Sequence, residues 1–103
     1  MPEARPDKIV DETHEISRRR GNGKLRREIW VDAGGRIVRF NLAFINREIH
    51  GGDNGRVLGY DSRHGVWHRH HLGEVSPVEA RDFAWIEARF ETEVLNYLKG
   101  KRR

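Results

Sequence analysis

The chain contains no cysteine, which excludes disulfides, thiolate metal sites and cysteine nucleophiles. Hydrophobic residues make up only 36% of its 103 positions, and no apolar run approaches the ~18 residues needed to cross a bilayer. Behind Met1-Pro2-Glu3-Ala4-Arg5-Pro6 there is no apolar stretch, so no secretory signal is expected and a cytoplasmic location is. Three prolines and nine aromatics place the composition in the globular range, not the disordered one. The length fits a single domain spanning residues 1–103.

Charge is abundant and unevenly placed. The net formal charge is +4, but residues 18–27 hold six cations (Arg18, Arg19, Arg20, Lys24, Arg26, Arg27) and no acid. The end of the chain, Lys99-Gly100-Lys101-Arg102-Arg103, holds four more, and residues 77–98 carry five carboxylates against Arg81 and Arg89. Cationic ends around an acidic element suit a polyanion or an acidic partner; solvated charge is the plainer alternative.

Alternation and turn residues predict a sheet over residues 8–72, with residues 1–7 frayed. Gly21-Asn22-Gly23 and Asp32-Ala33-Gly34-Gly35 supply turns. Leu25, Arg27, Ile29 and Val31 share one face of a strand, as do Val38, Phe40, Leu42 and Phe44 in the next. The loop His50-Gly51-Gly52-Asp53-Asn54-Gly55 reads as a turn, and Arg56–Tyr60 with Val66–Leu72 reads as a further hairpin. Ser76-Pro77-Val78-Glu79 combines an N-cap serine, an N1 proline and a capping-box glutamate, predicting a helix over 76–99 that Gly100 ends. At 100° per residue Phe83, Ile86, Phe90, Val94 and Tyr97 form one apolar stripe, which must cover the sheet. The expected fold is α+β: an antiparallel meander of four or five strands with one C-terminal helix packed across one face. Trp85 lies off that stripe, so it is a candidate homodimer contact or stacking surface unless neighbouring arginines cover it.

Four of the six histidines fall in His64-Gly65-Val66-Trp67-His68-Arg69-His70-His71. On a strand His68 and His70 share a face with Val66 and Leu72, while Trp67, Arg69 and His71 take the other. Which set faces the helix is open at this stage. Imidazole, with an unperturbed pKa near neutrality, suits metal-independent RNA cleavage, one ring taking the 2′-hydroxyl proton and one protonating the leaving oxygen. Arg69, Arg63 or Arg56 would steady the phosphorane. The same pair suits a transition metal with Asp61 or His64 as further ligands, or plain nucleic-acid binding, or an edge strand that happens to be histidine-rich.

Three motifs occur in order: Arg39-Phe40-Asn41-Leu42-Ala43-Phe44-Ile45-Asn46, Gly55-Arg56-Val57-Leu58-Gly59-Tyr60-Asp61-Ser62, and Gly65 followed by His68-Arg69-His70. Together they resemble the TumE-type toxins of bacterial toxin–antitoxin pairs, over roughly residues 36–75. Ser62 stands where asparagine is usual in that family, and Phe44 where tyrosine is common. The resemblance implies a small α+β toxin encoded beside a helix-turn-helix antitoxin that neutralises it, with RNA as the favoured target. Carried onto matching positions, it marks Tyr60, Asp61, His68, Arg69 and His70 as catalytic candidates. Arg18, Arg19, Arg20, Lys24, Arg26 and Arg27 are the nucleic-acid-binding candidates, and no cofactor or resident metal is expected. The competing expectation is a non-catalytic nucleic-acid-binding or regulatory module, or a small structural protein with Trp85 at its interface.

Overall fold

In the computed structural model, which describes residues 5–63 and 65–101, six strands and one long helix follow in chain order. They are β1 (Asp7–Ile16), β2 (Gly23–Val31), β3 (Ile37–Ile45), β4 (Arg56–Arg63), β5 (Val66–His71), β6 (Glu74–Pro77) and α1 (Phe83–Lys101). Each strand pairs antiparallel with the next, giving a meander in the order β1-β2-β3-β4-β5-β6. The α+β architecture expected from the pattern is therefore present, with one strand more than expected. Among the described residues no helix is long and apolar enough to cross a membrane.

One face of the sheet is apolar because register brings the hydrophobic parity of each strand into rows. Leu25 pairs with Phe44 and Ile29 with Phe40 across β2 and β3; Leu42 pairs with Tyr60 and Phe44 with Leu58 across β3 and β4. The stripe Phe83, Ile86, Phe90 and Val94 of α1 is buried against this face, with α1 lying chiefly over β3 and β4. Side chains of this size stabilise the fold by about 1.5–3 kcal/mol each when buried. Trp67 faces the helix as well, its ring edge-on to Phe40 at 5.2 Å between centroids. That contact decides the question left open by the β5 sequence: Val66, His68 and His70 look out from the uncovered face.

The connections are held by polar side chains. Asp32 Oδ1 accepts from the amides of Gly34 and Arg36, both at 2.9 Å, closing the β2–β3 turn. Asn46 is buried; its amide group donates to the carbonyls of Gly21 and Asn22, and its oxygen accepts from the Glu48 amide. One side chain thus ties the β1–β2 connection to the β3–β4 connection. Gly21 sits at φ 131° against α1, where an added Cβ would stand 2.6 Å from Leu98 Cδ2.

The helix begins later than the capping-box pattern predicts. Ser76 and Pro77 belong to β6, opposite Arg69 and His68, and the Val78 amide donates to the Trp67 carbonyl at 2.9 Å. Leu72 and Gly73, at φ 50° and 87°, form a two-residue turn that returns the chain onto β5. Covering the open edge of β5 satisfies a row of backbone groups, which outweighs a local capping preference. Asp82 is the cap in use: its Oδ1 accepts from the Trp85 amide at 2.9 Å. Gly100 does not end the helix, which continues to Lys101. The expected sheet of 8–72 and helix of 76–99 therefore become 7–77 and 83–101. Residues 1–4 of the expected frayed start and Arg102 and Arg103 of the basic end lie outside the described residues, while Asp7 belongs to β1 and Lys99 and Lys101 to α1.

Asp82→Ala should lower unfolding free energy by about 0.5–2 kcal/mol through loss of the cap, whereas Ser76→Ala should leave it nearly unchanged. Urea denaturation of the two variants reads the difference; a larger loss for Ser76→Ala would restore the earlier helix start.

Candidate functional site

The register between β4 and β5 distributes the five catalytic candidates. Asp61 pairs with His68, Gly59 with His70, and Tyr60 with Arg69. Because adjacent residues alternate across a sheet, Asp61, His68 and His70 share the open face. Tyr60 and Arg69 point under the helix. Two separate clusters result.

On the open face Asp61 stands between the imidazoles. Its Oδ2 lies 2.9 Å from His70 Nε2 and its Oδ1 lies 3.8 Å from His68 Nδ1. The two rings are 6.4 Å apart between centroids. Arg56 folds over the pair: its guanidinium lies 3.4 Å from Asp61 Oδ2 and 3.0 Å from His70 Nδ1. Asp53 holds the other side of Arg56 with contacts of 2.8 and 3.1 Å. An arginine only donates, so His70 Nδ1 accepts and the ring is neutral, its proton on Nε2 beside Asp61. The Nε2 contact is close but off the line of the N–H. His70 Nε2 and Asp61 Oδ1 are thus buried without a directed hydrogen bond among the described residues. Burial, then the Arg56 charge, hold the His70 pKa below the ordinary imidazole range, against the opposing pull of Asp61 and Asp53.

Gly59 makes this packing possible. A Cβ there would stand 2.7 Å from Arg56 Cδ and 2.9 Å from the Leu42 carbonyl oxygen. Its signal in the sequence is a glycine inside a strong strand, which marks a close approach. Asp53 carried no such signal, because its role depends on the loop folding back beside Arg56.

Under the helix Tyr60 donates to Glu93 and accepts from Arg69 and Arg89 at 3.2 and 3.1 Å. Arg69 also pairs with Glu93. Burial and then Glu93 raise the Tyr60 pKa. Burial alone would raise Glu93 too, but Arg69 and Tyr60 prevail and lower it. With one donation and two acceptances the Tyr60 hydroxyl has its hydrogen-bonding capacity filled. His71 Nε2 meets the Tyr97 hydroxyl on the same face.

The basic segment is likewise divided. Arg26, on the open face, pairs with Asp11 and Glu28; Arg27, on the helix side, pairs with Glu12 and Glu87. Lys24 lies 3.7 Å from Glu15. Arg18, Arg19 and Arg20 form an exposed 3-10 turn with no acid partner among the described residues. Lys24 pairs with Ile45, and Ile45 with Arg56, so this turn lies toward the Arg56 end of the sheet. Trp85 stays 39% exposed with the Arg89 guanidinium 5.2 Å from its ring, so an arginine covers part of it.

Among the described residues no three His, Asp or Glu side chains stand where one metal ion could reach them; His64, an alternative ligand, and the Arg63 side chain lie outside those residues. Compared with protein-family models, curated proteins and solved structures, the chain matches none.

The neutral His70 has a consequence for stability. Its pKa is lower folded than unfolded, so the unfolded chain takes up the proton first. This contribution is complete above the ordinary imidazole value of about 6.5 and is lost as pH falls below it toward the folded pKa. Urea titrations between pH 7.5 and 5 should show a loss of unfolding free energy on acidification that is smaller in His70→Gln. An equal loss in both proteins would mean that folding does not lower the His70 pKa.

Proposed function

We propose that the chain is the toxin component of a bacterial toxin–antitoxin pair and acts on RNA by metal-independent acid–base chemistry on the open face of its sheet. The single observation behind this reading is the carboxylate of Asp61 set between two imidazoles, 2.9 Å from His70 Nε2 and 3.8 Å from His68 Nδ1.

In this reading His68 is the exchanging group. Its side chain, at 27% exposure, is more open than that of His70 at 14%. Asp61 lies 3.8 Å from Nδ1, so Nε2 is the nitrogen that meets a 2′-hydroxyl. His70 holds the second position: when Arg56 shifts from the imidazole to a phosphate oxygen, where a guanidinium stabilises developing charge, Nδ1 takes up a proton that Asp61 beside Nε2 balances, and gives it to the leaving 5′ oxygen. Arg56 thereby takes the part for which Arg69 was also a candidate. The antitoxin partner, the cytoplasmic setting and a homodimer through Trp85 belong to the same proposal and rest on the sequence.

His68→Ala and His70→Ala should each reduce RNA cleavage by about a hundredfold or more and relieve growth arrest on expression. Cleavage by the unaltered protein should follow a bell-shaped pH profile and survive chelator. As a control, Arg69→Ala should lower unfolding free energy by about 1–3 kcal/mol yet keep cleavage measurable below its midpoint. Undiminished toxicity of the double alanine variant would sink the proposal.

Arg18, Arg19 and Arg20 supply the exposed charge for phosphate contacts. Replacing all three with Gln should flatten the slope of log affinity against log salt for single-stranded RNA by up to about 2. An unaltered slope would leave them as solvated charge.

A further inference from the structure

Beside the Asp61 cluster the open face holds a polar groove of about 250 Å³, whose lining includes Trp30, Arg39, Asn41, Arg56 and Asp61. At its far side an indole lies under two cations: Lys8 Nζ at 5.0 Å and the Arg39 guanidinium at 4.6 Å from the Trp30 ring. The cations differ in freedom. Lys8 is pinned by Glu28 at 2.7 Å and Asp11 at 2.9 Å. Arg39 is exposed and has no carboxylate partner among the described residues, so it can leave the ring.

We propose that Trp30 and Arg39 form a base-binding subsite for a single-stranded RNA nucleotide flanking the phosphodiester held at the Asp61–His68–His70 cluster. This rests on the RNA-directed reading above and assigns where the substrate's base goes. Trp30 pairs with Arg39 on β3, and Asn41, two residues along β3, pairs with Asp61. Two strand spacings and two residues of rise separate Trp30 from Asp61 by about 12 Å between Cα atoms, within reach of one nucleotide and its phosphate. A base stacking on the indole takes the place of the Arg39 guanidinium, which swings to the adjacent phosphate and keeps its charge compensated. Asn41 donates to Glu28 at 3.0 Å, leaving its carbonyl oxygen as a groove acceptor for a base N–H.

The test uses two uncleavable probes: a short 2′-O-methyl oligoribonucleotide of mixed sequence, and an abasic chain of the same length. Trp30→Ala should weaken the first by about 5- to 100-fold, as loss of one stacked base does, and leave the second unchanged. Trp30→Phe should restore most of the affinity, and Arg39→Gln should weaken both probes. In cleavage assays Trp30→Ala should raise KM more than it lowers kcat. Full-strength binding of the base-bearing probe by Trp30→Ala, with unaltered protein binding and cutting RNA, would overturn the subsite alone. So would an equal loss on both probes. Unaltered protein that neither binds the probes nor cuts RNA would overturn the RNA-directed reading itself.

Discussion

The pairing of β4 with β5 is the constraint on which the rest of the molecule depends. With Tyr60 opposite Arg69 and Asp61 opposite His68, one parity of this hairpin builds the underside of the helix and the other builds the open face. A slip of β5 by one residue would drive His68 and His70 beneath α1 and turn Trp67 and Arg69 to the open face. The Trp67–Phe40 edge contact and the bonds of Arg69 to Tyr60 and Glu93 resist that slip directly.

The helix is fastened by more than apolar contact. Phe83, Ile86, Phe90 and Val94 supply the buried stripe, and ion pairs flank it: Arg27 with Glu87, Arg69 with Glu93. For a chain with few apolar residues this is a reasonable division of labour. Exposed pairs of this kind contribute little, about 0–1 kcal/mol; the Tyr60–Glu93–Arg69 cluster is better shielded and fixes where along the sheet the helix sits. It also accounts chemically for two side chains whose motif positions suggested catalysis. Their hydrogen-bonding groups are engaged with the helix.

The open face has the opposite character. Among the described residues no helix covers it, and charged or polar side chains cross it: Arg26, Glu28 and Asn41 lead across the strands to Asp61 and His68. Most of these charges are mutually compensated. Asp61 stands between two imidazoles, and Arg39 rests on an aromatic ring with no acid beside it among the described residues. Asp61 and Arg39 line the same groove, so acid–base chemistry and base binding fall on one surface.

Alternation, turn residues and the 3.6-residue stripe were sufficient in the sequence to specify a meander under a C-terminal helix, and the stripe from Phe83 to Val94 is the buried one. These are local periodicities, and each side chain reports its own face. What the tertiary structure alone decided is what depends on contact between distant segments. Ser76-Pro77 carries a sound capping signal, but the unpaired edge of β5 recruited it as a strand. The spacing of His68 and His70 placed them together without saying toward which side, until Trp67 met Phe40. Tyr60 and Asp61 are neighbours in a motif and opposites on a sheet. Arg26 and Arg27 are divided in the same way, and each finds its acids on a different element. Sequence proximity makes a motif, but a site needs side chains on the same face, and register between strands determines that.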